Sequence, residues 1–321
     1  MIAYIPFPDW LHPEIIPGIP IRWYGLMYLV AFIIAFFLLR RQMKENEIKN
    51  NRDESISLIT WGIIGLLLGA RIFATLVYDD TVKFLTHPWL IFWPFDEHNH
   101  FTGFQGMSYH GGVIGGTIGL LLYSIKKKQS FLKNADMMVT AIPFGYFFGR
   151  IGNFINGELY GRVTASSLGV LFPYAERFPA KENWVRNIMD ATGLNIVSGG
   201  MVNLPRHPSQ LYEAFFEGFV LGLAMWFVFR KMRLKPGVRV GLYLAGYGII
   251  RFVIEYFREP DENMGFILKL SGQDNPIYLL NSFLDFSTGQ LLCSIMIAIG
   301  VLIILFCTLT SPKDCRKHHS A

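Results

Sequence analysis

The sequence is poor in charged residues. Asp, Glu, Lys and Arg together make up 17% of its 321 residues, whereas hydrophobic residues make up 52% and the mean hydropathy is +0.34. Soluble domains carry about 25% charged residues, so this composition excludes an ordinary soluble domain of this length. Apolar runs recur along the whole chain and predict an integral membrane protein that crosses the bilayer several times.

The sequence also has little cysteine. Cys293, Cys307 and Cys315 are odd in number, and their spacing matches no metal motif, which excludes a disulfide framework and a zinc site. We expect no metal site, and we expect no cofactor either.

A basic surface for nucleic acid is missing, although the formal net charge is +5. The cationic clusters instead lie beside apolar runs, which is typical of loops held on the cytoplasmic side of a membrane. These clusters are Arg40, Arg41 and Lys44; Lys126, Lys127 and Lys128; Arg230, Lys231, Arg233 and Lys235; and Lys313, Arg316 and Lys317. We expect the bilayer, and no nucleic acid, as a partner.

Seven segments are long and apolar enough to predict membrane-spanning helices of roughly 20 residues. Their cores are Tyr24 to Leu39, Ile56 to Tyr78, Tyr109 to Ile125, Ala135 to Phe154, Ser209 to Phe229, Val240 to Phe257, and Thr288 to Leu309. The basic clusters share one side if the N-terminus is outside and the C-terminus inside. We therefore predict an all-α polytopic protein whose residues 1–321 form a single transmembrane domain.

The connection between spans four and five is too polar to cross a membrane. Residues 158–208 contain helix-breaking prolines and glycines and predict a small extracytoplasmic head. Within this head, the segment from Asn195 to Asn203 is compatible with a short hairpin.

Span six carries charges at membrane depth, where they are costly and usually functional. Tyr247, Arg251, Glu255 and Arg258 follow one another at intervals of four, four and three residues, which predicts one shared helix face. The structural alternative is an Arg251–Glu255 pair that neutralises itself, with Arg258 reaching to the interface.

Span four ends in a polar, glycine-rich stretch from Gly149 to Gly161, GRIGNFINGELYG. Arg150 and Asn153 share a helix face, and Asn156 and Glu158 continue into the loop. The guanidinium of Arg150 suits a phosphate because its fork donates two parallel hydrogen bonds. The alternative is a glycine-rich helix end with an arginine that reaches to the interface.

Further polar residues lie near the predicted outer ends of spans two, three and five. His110 suits a proton acceptor, although a lone histidine is more often structural, and the glycines that follow it predict a close-packing face. Glu213 fits two roles equally well, as a residue of the site or as an acidic side chain placed favourably at a helix N-terminus. With His207 and Arg71, these residues gather in the outer half of the bilayer and predict one cavity for an anionic lipid headgroup.

The stretch from Gly149 to Gly161 resembles the signature of the bacterial prolipoprotein diacylglyceryl transferases. The resemblance is highly specific there and extends in chain order over most of the sequence. The other matching stretches are Trp23 to Tyr28, His110 to Gly112, His207 to Glu213, and Arg251 through Arg258 to Asp261.

The resemblance implies an enzyme of the bacterial cell membrane, with its active site facing the outer leaflet. Such an enzyme transfers the diacylglyceryl group of phosphatidylglycerol to the thiol of the lipobox cysteine of a prolipoprotein. A thioether forms and glycerol phosphate leaves.

The resemblance also implies roles for individual residues. His110 would be the base or proton relay, with Glu213 or a phosphate oxygen as competitors, and Arg150 and Arg251 would hold the phosphate. The residues implied to orient the headgroup and the arginines are Tyr24, Asn153, Asn156, Glu158, Tyr247, Glu255 and Arg258, and His207 and Arg71 are further candidates.

Two other functions fit parts of the pattern. A transporter for an anionic solute would need access from both faces, and the outer-leaflet bias and the absence of an internal repeat disfavour it. A phosphatidyltransferase would carry an acidic metal-binding motif near the cytoplasmic face, and the sequence has none.

The loop formed by residues 262–287 is longer than the family pattern leads us to expect, but no motif residue is lost.

Because the substrate is expected to supply the reactive thiol, replacing Cys293, Cys307 and Cys315 together by Ser should leave activity largely intact. Mass spectrometry of the thioether product would measure the transfer. A folded triple variant without activity would contradict this expectation.

Overall fold

The computed structural model describes residues 4–16, 22–78, 81–93, 95, 106–194, 200–259, 266–269, 276–280 and 282–310. Its helices are α1 (Trp23–Glu45), α2 (Asn51–Phe73), α3 (Thr81–Thr86), α4 (Tyr109–Lys127), α5 (Phe131–Val139), α6 (Ile142–Asn156), α7 (Asn183–Thr192), α8 (Ser209–Phe229), α9 (Val238–Ile254) and α10 (Thr288–Thr310). Its strands are β1 (Ile5–Pro6), β2 (Val170–Leu171), β3 (Arg177–Pro179), β4 (Met201–Asn203), β5 (Phe266–Lys269) and β6 (Asp285–Ser287). The prediction of a mostly helical membrane protein is confirmed, although the described residues also form three two-stranded sheets.

Within the described residues, four helices are long and apolar enough to cross a membrane. They are Trp23–Glu45, Asn51–Val77, Ser209–Phe229 and Thr288–Thr310, which match predicted spans one, two, five and seven. Predicted spans three and six are also helical, as α4 and the 17-residue α9. The count of seven spans stays a prediction.

The prediction of one continuous helix from Ala135 to Phe154 is wrong. Helix α5 ends at Val139 and α6 begins at Ile142, with a turn at Thr140 and Ala141 between them. Pro143 explains the break, because its ring would clash with the carbonyl four residues earlier in a continuous helix.

The chain forms two compact units, one of Ala35–Met138 and one of Met1–Ile34 with Val139–Ala321. In the unit Ala35–Met138, α2 and α4 pack through facing glycines. A Cβ atom on Gly115 would lie 2.1 Å from the carbonyl oxygen of Gly65, and one on Gly69 would lie 2.3 Å from that of Gly111. Such close backbone approach is typical of helix pairs in membranes and bears out the close-packing face predicted for span three.

In the other unit, residues from the predicted head form a small core of their own. Strands β3 and β4 pair antiparallel, and α7 packs on them. The buried residues of this core are Val163, Phe178, Ala180, Val185, Met189, Val202 and Leu204. The prediction of a hairpin within Asn195 to Asn203 is wrong for its described part, because Met201–Asn203 pairs with Arg177–Pro179, and residues 195–199 lie outside the described ranges.

The head core also takes in chain from the loop that precedes α10. Tyr278 and Leu279 pack against it, and buried Arg162 donates hydrogen bonds of 3.0 Å to the carbonyl oxygens of Ile277 and Leu279. Burial lowers the pKa of Arg162 to about 10, so this side chain is still charged at neutral pH. Tyr278 and Leu279 lie far along the chain from this core, so the local pattern of residues 158–208 does not reveal that they complete it.

The glycine contact between α2 and α4 generates a stability prediction. Gly115→Ala places a methyl group into the backbone of Gly65 and should destabilise the protein by about 1–3 kcal/mol, as overpacking does. Gly116→Ala is the matched control, since its new Cβ would meet its nearest neighbour at 3.8 Å. Thermal unfolding in detergent measures both, and equal unfolding temperatures would contradict the packing account.

Candidate active site

The glycine-rich stretch closes α6 and turns the chain into the head. Gly157 ends the helix in the left-handed conformation with φ of 66°, which a glycine adopts without strain. The turn brings Glu158 back onto the helix end, where Asn153 and Asn156 donate to its carboxylate at 2.9 and 3.2 Å. Gln210 at the start of α8 donates to the Glu158 carbonyl oxygen at 2.7 Å. Three of the predicted substrate-binding residues therefore form one hydrogen-bonded group.

Gly161 marks the place where three segments of backbone meet. Its N–H donates to the carbonyl oxygen of His207 at 2.8 Å, and the next N–H, of Arg162, donates to Phe257 at 2.9 Å. A Cβ atom on Gly161 would lie 2.2 Å from the Phe257 carbonyl oxygen. The ends of α6 and α9 and the start of α8 are thereby tied together.

The carboxylate of Glu213 lies between the two arginines that the sequence singles out. Its Oε2 is 2.7 Å from Nε of Arg150, and its Oε1 is 3.0 Å from Nη1 of Arg251. Tyr146 donates a hydrogen bond of 3.2 Å to the same carboxylate. Glu213 is fully buried, and the arginines are nearly so, with side chains 14% and 12% exposed.

Close packing of α6 against α8 explains how Arg150 reaches Glu213. A Cβ atom on Gly218 would lie 2.7 Å from Cα of Phe147, and one on Gly222 would lie 3.1 Å from the ring of Phe144. Helix α8 includes two π-helical stretches, at Ala214–Val220 and Ala224–Phe229. Such stretches are frequent at functional sites, and the first begins directly after Glu213.

Arg251 contacts two further carboxylates. Its Nη2 lies 3.2 Å from Oε2 of Glu255, and its Nη1 lies 3.8 Å from Oε1 of Glu217. The neutralising pair within span six is therefore present, but it is one part of a larger cluster of charges. Sequence reasoning missed buried Glu217, although its position one helical turn after Glu213 was a usable signal.

Two tyrosines form one wall of the cluster. The hydroxyl of Tyr247 donates to that of Tyr146 at 3.4 Å, and the guanidinium of Arg150 lies 4.8 Å from the centre of the Tyr146 ring. Tyr146 is absent from the predicted site residues, although it lies four residues before Arg150, the same spacing that links Tyr247 to Arg251 in span six. A guanidinium has five N–H donors, so the carboxylate contacts do not exhaust the capacity of these arginines to bind an anion.

Tyr24 packs against the same end of α6. Its ring would lie 3.1 Å from a Cβ atom on Gly152, and its hydroxyl is 2.9 Å from that of Tyr28. Gly152 therefore allows the first turn of α1 to lie against the helix that carries Arg150 and Asn153.

The prediction that Arg258 continues the helix face of span six is wrong. Helix α9 ends at Ile254, and Arg258 lies beyond the last turn, where it forms a β-bridge with Gly161. The backbone of Arg258 accepts a hydrogen bond of 2.9 Å from Arg162. The chain leaves the helix here because it joins the head.

His207 lies at the junction of the head with α8. Its Nδ1 is 3.3 Å from the Tyr212 hydroxyl, and its ring packs edge-on against Phe257 at 5.2 Å. Burial lowers the pKa of His207, so the ring is neutral at pH 7. These contacts favour a structural role at the junction.

His110 and Arg71 belong to the unit Ala35–Met138. Arg71 donates to the carbonyl oxygens of Ile91 at 2.5 Å and Gly106 at 3.2 Å, so backbone carbonyls satisfy part of its guanidinium. His110 is exposed in the first turn of α4, which Ser108 caps through the N–H of Gly111. That these two residues share a cavity with Arg150 and Arg251 stays a prediction.

Comparison with known proteins gives one family. A family model described as prolipoprotein diacylglyceryl transferase matches residues 13–306. The chain is 50% identical to a phosphatidylglycerol–prolipoprotein diacylglyceryl transferase of Treponema denticola, over 98% of this chain and 97% of that relative. Relatives of the same name are 47% identical in Treponema pallidum, over 92% and 93% of the two chains, and 41% identical in Chlorobaculum tepidum, over 93% and 91%.

The buried position of Glu213 generates a stability prediction. Glu213→Gln leaves Arg150 and Arg251 facing a neutral amide, and breaking a buried ion pair in this way should cost about 3–5 kcal/mol. The matched control is Glu45→Gln, which breaks the exposed Arg41–Glu45 pair and should cost less than about 1 kcal/mol.

Thermal unfolding in detergent again provides the measurement. If Glu213→Gln were no less stable than Glu45→Gln, the carboxylate would not be needed to compensate the buried arginines.

Proposed function

The chain belongs to the prolipoprotein diacylglyceryl transferase family, and on that premise we propose that it transfers the diacylglyceryl group of phosphatidylglycerol to the lipobox cysteine of a prolipoprotein. The observation that carries this proposal is the buried cluster in which Arg150 and Arg251 converge on Glu213. Two guanidinium groups held at one buried carboxylate, on two apolar helices, suit an anionic phospholipid headgroup.

In the proposed reaction, the cysteine sulfur attacks the glycerol carbon that carries the phosphate ester. A carbon–sulfur bond forms, the carbon–oxygen bond to the phosphate breaks, and glycerol phosphate leaves with the electron pair of that bond. The thiol must lose its proton, because the thiolate is the reactive form. We assign His110 as the base or proton relay, with Glu213 and a phosphate oxygen as the competing acceptors.

Arg150 and Arg251 are proposed to bind the phosphate and to stabilise the charge that develops as it leaves. Glu213 serves this role by holding both guanidinium groups at fixed positions before the lipid arrives. The remaining N–H donors of each arginine then bind phosphate oxygens without a large rearrangement of the protein.

The polar side chains around the arginines are proposed to orient the headgroup. Those near the end of α6 are Tyr24, Asn153, Asn156 and Glu158, and those on or beyond α9 are Tyr247, Glu255 and Arg258. The hydrogen bonds from Asn153 and Asn156 to Glu158 support a shared role for the first group.

We further propose seven spans, with the N-terminus outside, the C-terminus inside and residues 158–208 in an extracytoplasmic head. The basic residues near the ends of α1, α4 and α8 support this orientation. It would place the site in the outer leaflet of the bacterial cell membrane, where a translocated prolipoprotein presents its cysteine.

The proposed function is tested with purified protein, phosphatidylglycerol vesicles and a synthetic lipobox peptide. We expect a peptide product heavier by one diacylglyceryl group and one equivalent of released glycerol phosphate. A peptide with Ser in place of Cys should give neither. Absence of both products from folded protein would overturn the proposal.

Arg251 provides a sharper test of the site. Arg251→Ala should lower the rate at least about 100-fold, the loss typical of removing a group that stabilises transition-state charge. Arg251→Lys should also be poor, because an ammonium group cannot make the forked contact. Arg41→Ala, at an exposed pair, is the control for general effects of removing an arginine.

The same assay gives the rates, and circular dichroism and thermal unfolding verify folding. Full activity of Arg251→Ala would remove this residue from the site.

A further inference from the structure

The first turn of α10 is fixed by a reciprocal pair of hydrogen bonds. The N–H of Gln290 donates to Oγ of Ser287 at 3.2 Å, and the N–H of Ser287 donates to Oε1 of Gln290 at 2.9 Å. This arrangement is a capping box, which satisfies two N–H groups at a helix start and fixes the turn. The side chains of Ser287 and Gln290 are both buried.

The carboxylate of Glu255 lies directly against this turn. The hydroxyl of Ser287 donates to its Oε1 at 3.3 Å. A Cβ atom on Gly289 would lie 2.3 Å from the same oxygen and 2.6 Å from the carboxyl carbon. Any side chain at position 289 would therefore displace Glu255, whereas glycine lets the carboxylate approach the positive end of the helix dipole.

The second carboxylate oxygen of Glu255 faces the proposed phosphate site. Oε2 lies 3.2 Å from Nη2 of Arg251, whose Nη1 reaches Glu213. Glu255 thus connects the start of α10 with the guanidinium of Arg251. A displacement of this carboxylate would change the position of that guanidinium, or leave it held from one side.

We propose that Gly289 and Ser287 are positioning residues of the transfer reaction and act through Glu255 on Arg251. Gly289 does so by having no side chain, and Ser287 by donating its hydroxyl hydrogen bond. This inference rests on the proposed function. It assigns a role in that function to α10, which contributes no other residue to the proposed site.

A double-mutant cycle between positions 289 and 255 tests the proposal. Gly289→Ala should lower kcat/KM by about 10- to 100-fold, the range expected when a reacting group is displaced by about 1 Å. Glu255→Asp shortens the side chain by one methylene and retracts the carboxylate from position 289. The double variant should therefore lose no more activity than Glu255→Asp alone, because the added methyl group no longer meets the carboxylate.

Gly300→Ala is the matched control in the same helix. Its Cβ would lie 2.7 Å from the carbonyl oxygen of Gly241 in α9, so it disturbs the contact of α9 with α10 about 16 Å along the helix from Gly289. Its activity loss should add to that of Glu255→Asp. Additive losses for Gly289→Ala and Glu255→Asp would overturn the proposal, since they would show that Gly289 acts through packing alone.

Two further measurements keep the test decisive. Ser287→Ala adds no atoms, and its activity loss should also be non-additive with that of Glu255→Asp. It therefore replaces Gly289→Ala if that variant does not fold. Additive losses for Ser287→Ala and Glu255→Asp would count against the proposal. Thermal unfolding of all variants without substrate should show the same coupling between positions 289 and 255. If the wild-type protein gave no product while this coupling was present, the proposed function would fail and the positioning of Glu255 would stand.

Discussion

The buried carboxylate of Glu213 is the interaction on which the proposed site depends. Burying the guanidinium groups of Arg150 and Arg251 without a counter-charge would cost several kcal/mol for each, and Glu213 compensates both at distances of 2.7 and 3.0 Å. Because the three residues come from α6, α8 and α9, this compensation requires three helices to converge at one depth. The need to pair these buried charges therefore constrains how α6, α8 and α9 are arranged.

Glycine provides the approach that this convergence requires. Helices in a bilayer gain little from hiding apolar side chains from one another, so close backbone contact contributes much of their association. Gly218 and Gly222 bring α8 against α6, Gly241 and Gly300 bring α9 against α10, and Gly161 joins the three segments of backbone at the head. Gly289 differs from these, because the group that it admits is the carboxylate of Glu255.

Residues of the predicted head connect the ends of the same helices. Buried Arg206 contacts the carboxylate of Glu259 and lies over the ring of Tyr160 at 4.7 Å, and buried Arg162 donates to backbone carbonyls of the loop before α10. Neither arginine is among the predicted site residues, because nothing in the local sequence distinguishes it from an exposed charge. These partners lie between 46 and 117 residues away along the chain, so no local pattern could reveal them.

The sequence by itself determined the class of protein, most helix positions and several members of the charged cluster, because apolar runs and misplaced charges are local properties. The stretch from Gly149 to Gly161 and the pair of Arg251 and Glu255 were found in this way. Only the tertiary structure decided that Glu213 lies between two arginines, that Glu217 joins them and that Arg258 leaves the helix face. Those outcomes depend on which helices approach one another and how closely, and that is set by contacts between residues far apart in the chain.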